Sequence, residues 1–126
     1  MTQIVVVSSA RERLAAFTAA LQNAAGAFVQ IAPTAEAALA AANSTAPVLM
    51  VIDSSVDSPV FDMVKKILSI NALINTAVIS AEPEADFHDT AEGLGILMQL
   101  PDPPGAADAA ALWQRLTDLG AVAPTR

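Results

Sequence analysis

Cysteine is absent from this sequence, which excludes a disulfide framework, a thiol nucleophile and any thiolate zinc site. Basic residues are scarce: six Lys and Arg stand against 13 Asp and Glu, for a formal net charge of -7. Binding to a phosphate backbone needs clustered Lys and Arg, so a nucleic-acid partner is not expected. Long hydrophobic runs are missing too. The opening MTQIVVVSSARER has four apolar residues before its charges, too few for a signal-peptide core, and nothing later approaches a membrane span. The chain is therefore expected to be cytoplasmic, with no membrane partner. No G-x-G-x-x-G occurs, and SSARER, which follows the first apolar run, has no glycine to cradle a dinucleotide or flavin phosphate. Histidine occurs once, as His88. Nothing in the sequence groups a nucleophile, a base and an orienting residue, so the chain is not expected to be an enzyme.

What is present is a 126-residue chain, 54% hydrophobic and 15% charged, rich in alanine. That length and composition fit one globular domain, 1–126, with a sizeable core. Ile4 to Val7 is a short β-branched run, apolar on both faces, as in a strand covered on both sides. It is expected to be the first and central strand. Ser9 and Glu12 have capping-box spacing, and Leu14, Phe17 and Leu21 follow at helical intervals. Phe28 to Ile31 reads as a second strand, and Pro33-Thr34 opens an alanine-rich helix.

Val48 to Ile52 is the third strand, and Ser58-Pro59 opens a helix with Met63, Val64, Ile67 and Leu68 as its apolar stripe. Thr76 to Ser80 is the fourth strand. A helix with an acidic first turn follows Pro83 and ends at Glu92-Gly93. Ile96 to Leu100 is the fifth strand, stopped by PDPPG. The last helix carries Leu112, Trp113, Leu116 and Leu119 on one face and stops at Gly120. Five strands alternating with five helices predict a single doubly wound α/β domain, (βα)5 and flavodoxin-like, with a parallel sheet in order 2-1-3-4-5.

In such a sheet, ligands bind beyond the carboxyl ends of the strands. This rule bears on VLMVIDSS, residues 48–55, where five apolar residues run into Asp53. Read from the residues alone, Asp53 is either a turn residue capping Ser54 and Ser55 or part of a site. Ser8 and Ser9 after strand one and Ser80 after strand four fall at the same end of the sheet. His88 lies four residues after Glu84, a spacing that suits two metal ligands on one helix face but equally a solvated ion pair.

This order resembles the receiver domain of two-component response regulators along essentially the whole chain. Asp53 falls where that family carries its phosphate-accepting aspartate. Ser80-Ala81 falls where a Thr/Ser-Ala pair contacts the phosphoryl group, and Gly93 lies eight residues before Pro101, as in the family. The resemblance implies phosphorelay signalling, a histidine kinase or an effector as partner, and contacts through helix 4, strand 5 and helix 5, including a possible homodimer. Departures stand beside the match. The family's metal-holding acidic pair is Ser8-Ser9 here, its lysine is Leu100, and its aromatic switch residue is Leu97.

Transfer of a phosphoryl group to a carboxylate needs a metal and cationic groups to neutralise the oxygens. Asp53 alone, with the Ser55 carbonyl as a second ligand, makes a weak or absent magnesium site. No cofactor is expected unless that site works. The losses favour a pseudo-receiver acting through protein–protein interaction; the alternative is a conventional receiver phosphorylated on Asp53.

Overall fold

The computed structural model describes residues 3–53 and 59–120. Strands β1 (Ile4–Val7), β2 (Val29–Ala32), β3 (Leu49–Asp53), β4 (Asn75–Ile79) and β5 (Met98–Leu100) form one parallel sheet in order β2-β1-β3-β4-β5. A 3-10 turn, Arg11–Leu14, leads into helix α1 (Ala15–Ala25). Helices α2 (Ala35–Thr45), α3 (Val60–Ile70), α4 (Glu84–Ala91) and α5 (Ala106–Asp118) follow the later strands. Among the described residues no helix is long and apolar enough to cross a membrane.

Alternation along the strands divides the core in two. Val5, Val7, Met50, Ile52 and Val78 face one way and pack with α2 and α3 through Ala38, Met63, Val64 and Ile67. Ile4, Val6, Leu49, Val51, Ala77 and Ile79 face the other way and pack with α1 and α5 through Phe17, Leu21, Leu112 and Leu116. Covered on both faces, β1 and β3 are buried at every residue, which is why they read as unbroken apolar runs.

Caps fix the helix ends. The Thr34 hydroxyl accepts the Ala37 N–H at 3.1 Å and starts α2. Gly26, at φ 62°, closes α1 in the left-handed conformation that costs glycine least.

Several boundaries differ from the sequence reading. β1 lies inside the sheet, but the middle strand is β3. The first helix is capped by Ala10, not Ser9, and opens as a 3-10 turn without a side-chain cap. β2 begins one residue late and leaves Phe28 exposed. β5 is only Met98–Leu100, because Ile96 and Leu97 are still climbing out of the α4–β5 connection. Leu119 is the exposed C-cap of α5 rather than part of its buried stripe, because the helix ends one residue earlier. Pro59 is the cap of α3 and not its first residue; Ser58, with Ser54 and Ser55, lies outside the described residues.

Thr76 breaks the apolar rule inside β4. It is buried, and its hydroxyl has no hydrogen-bond partner among the described residues. A buried hydroxyl left without a partner costs about 1–3 kcal/mol, and valine has nearly the same shape. Thr76→Val is expected to stabilise the domain by about 1 kcal/mol, read as a rise of roughly 4 °C in melting temperature. A lower melting temperature would contradict this account of β4.

Candidate functional site at the ends of the strands

Register brings Ser8 to Asp53. Val7 pairs with Ile52, so the residues that follow each of them stand side by side at the carboxyl edge. Both also share the alternation of Ile4, Val6, Leu49 and Val51, which turns their side chains toward the α1 and α5 layer. The Ser8 hydroxyl donates to Asp53 Oδ2 at 2.8 Å and accepts the Ala10 N–H at 3.0 Å. Ser9 has the opposite alternation and is exposed. The two serines therefore differ: Ser8 is buried against Asp53, while Ser9 is exposed.

Asp53 is fully buried, at 0% exposure, and such a carboxylate must be paired. Its partner is Arg13, on the 3-10 turn, whose Nη2 donates to Asp53 Oδ1 at 2.5 Å. Nη1 of the same guanidinium donates to Asp102 Oδ1, from the loop between β5 and α5. One planar fork thus joins two carboxylates from different parts of the chain, a task suited to arginine and not to lysine. The hydrogen bond to Asp53, opposed by partial burial, raises the Arg13 pKa above its already high ordinary value. Stability that depends on this raised group is present below its unfolded pKa, so it persists across the physiological range.

The sequence reading missed Arg13 and Asp102. A signal was available: in a doubly wound sheet the turn after β1 and the loop after β5 both open toward the α1 and α5 layer, where Asp53 points.

Ser80 follows Ile79, which pairs with Asp53, so it stands at the same sheet edge. Its hydroxyl accepts the Glu82 N–H at 3.1 Å and is thus engaged within its own loop. Gln99 on β5 donates through Nε2 to the Ser80 and Glu82 carbonyls at 3.1 and 2.7 Å, pinning the β4–α4 connection. Ser80, Gln99, Pro101 and Asp102 line one shallow depression. Leu100 is fully buried in the α1 and α5 core, while Leu97 is half-buried against it. Leu100 lies two strands from Asp53 through Ile79, roughly 10 Å away at sheet spacing.

The fold has many structural counterparts. Chemotaxis response regulator CheY4 of Vibrio cholerae superposes with a TM-score of 0.78 at 19% identity, over 92% of this chain and 98% of that one. The receiver domain of NtrX from Brucella abortus gives 0.75 at 20% identity, over 91% and 98%. Response regulator DrrB of Thermotoga maritima gives 0.81 at 16% identity, over 95% of this chain and 54% of that one. The chain has the receiver-domain fold. No protein-family model matches it, and no curated protein sequence does.

A magnesium ion, which the receiver resemblance implies, does not fit the described residues. One Asp53 oxygen is held by the Ser8 hydroxyl and the other by a guanidinium. At an effective dielectric near 20, unit charges 4 Å apart interact by roughly 4 kcal/mol, so the Arg13 charge offsets much of the attraction that Asp53 would offer a second cation. Among the described residues, no group of three or more His, Cys, Asp or Glu side chains is placed to hold a metal. His88 and Glu84 form an exposed pair on α4 at 3.6 Å. The Ser55 carbonyl, expected as a second metal ligand, lies outside the described residues.

Proposed function

We propose that this chain is a receiver-like signalling module of two-component type that works as a pseudo-receiver, through protein–protein contact and without phosphate. The observation that carries this reading is the engagement of both oxygens of buried Asp53 by Ser8 and Arg13. An incoming dianionic phosphoryl group needs an accessible carboxylate and unspent positive charge. Here the carboxylate has no exposed surface, and the Arg13 guanidinium beside it already serves two carboxylates. The Gln99 bonds support the same reading, because protein groups alone already hold the β4–α4 connection in place. On this reading the chain is not an enzyme and needs no cofactor.

The proposed contact surface is the open groove between α4, β5 and α5. Phe87, Ile96, Leu97 and Met98 line it with Glu84, Asp89 and Glu92, and Arg115 stands on the α5 side. Apolar residues rimmed by acids suit a partner signalling protein, a histidine kinase or an effector, or a second copy of the chain. A conventional receiver phosphorylated on Asp53 is the second reading, favoured by the placement of Ser80 and Asp53 at one sheet edge.

Incubation with acetyl phosphate and magnesium separates the two. Intact-mass measurement is expected to show no phosphate on the protein. Magnesium-dependent labelling that Asp53→Asn abolishes would establish the second reading.

A further inference from the structure

We propose that Arg13 is a tethered counter-ion that locks Asp53: its guanidinium stands where a soluble divalent cation would have to bind, and its release opens the carboxylate. This rests on the pseudo-receiver reading and goes beyond it, since it names the group that closes the site and the contact that would have to break.

Three observations support the lock. The guanidinium is the partly exposed member of the pair, 32% against 0% for Asp53, so it covers the carboxylate on the solvent side. It is held at a second point by Asp102, itself 28% exposed, so the cover is fastened across the site and does not hang from one bond. Its position is set by the 3-10 turn. At about three residues per turn, Arg11 is rotated roughly 240° from Arg13, so the two arginines face different ways. Arg11 is exposed, and Arg13 meets the carboxylates.

The electrostatic consequence is specific. With Arg13 in place, Asp53, Asp102 and the guanidinium sum to one negative charge. With a neutral side chain at 13, two carboxylates and the Ser8 hydroxyl share the space without the guanidinium between them. A hard divalent ion is then the favourable counter-charge, since oxygen ligands and their summed charge set its affinity.

The test is magnesium titration of the full chain, followed by amide chemical shifts of residues around Asp53 and by thermal unfolding. The unmodified protein is expected to show no saturable response. Arg13→Met should gain saturable binding at least about tenfold tighter than any response of the unmodified protein, with a matching rise in melting temperature. Arg13→Met/Asp53→Asn should lose that gain. Arg13→Lys, which keeps the charge but cannot bridge two carboxylates, should respond between the two and serves if Arg13→Met does not fold. Silence in both Arg13 variants alongside a silent unmodified protein would overturn the lock and leave the pseudo-receiver reading standing. A saturable response in the unmodified protein that Asp53→Asn removes would overturn both.

Discussion

Arg13→Met and Asp53→Asn are each expected to destabilise the domain, but the double variant should cost clearly less than their sum. Removing one member of a buried ion pair leaves the other desolvated and unpaired, which typically costs about 3–5 kcal/mol. Arg13 is a third exposed, so water replaces part of what is lost, and about 2–3 kcal/mol is expected for Arg13→Met. Asp53→Asn still offers an acceptor to Ser8 and leaves Arg13 with Asp102, so about 1–2 kcal/mol is expected. In the double variant the unpaired carboxylate that made Arg13→Met expensive no longer exists. The interaction energy should therefore be on the order of 1.5 kcal/mol, from urea denaturation of the four proteins at constant m-value. Additivity within about 0.5 kcal/mol would mean that the pair does not hold Asp53 in its buried state.

That experiment probes the part of the site least legible in the sequence. The fold was readable because its signals are local. Val5 and Ile4 lie on opposite faces of a strand covered on both sides, Thr34 caps α2, and the stripe Met63, Val64, Ile67 has helical spacing. Strand-helix alternation predicted a doubly wound parallel sheet, and its order β2-β1-β3-β4-β5 puts Asp53, Ser8 and Ser80 at one edge. Arg13, which pairs with Asp53, and Asp102, which shares its guanidinium, were not local signals. Arg13 is 40 residues away and Asp102 lies in a proline-rich loop, so no spacing rule joins them. The capping-box spacing at Ser9 also misled. Ser8 Oγ binds both Asp53 and the Ala10 N–H, which holds residues 8–10 out of the helix and lets a 3-10 turn carry Arg13 to the carboxylate. A tertiary hydrogen bond here overrode a local capping signal.

The two core layers make the last prediction, which asks how the lock is supported. Phe17 lies one helical turn after Arg13, fully buried in the α1 and α5 layer. Ile67 is equally buried but lies in the α2 and α3 layer, across the sheet. Phe17→Ala is expected to cost about 3–5 kcal/mol and Ile67→Ala about 2–4 kcal/mol, from lost transfer energy and the cavities left behind. Each is a large share of the roughly 5–15 kcal/mol that stabilises an ordinary domain. Their couplings should differ. Layers on opposite faces of a sheet lie more than about 10 Å apart, so Ile67→Ala should add to Arg13→Met within about 0.5 kcal/mol. Phe17 fixes the start of α1, and with it the turn that carries Arg13, so losing Phe17 loosens the guanidinium before Arg13 is touched. Phe17→Ala and Arg13→Met should therefore be sub-additive by about 1 kcal/mol, because part of the ion pair is already lost in the Phe17 variant. Equal coupling of Arg13 to both positions would show that the guanidinium is held by Asp102 and Asp53 alone, with no help from the packing of α1.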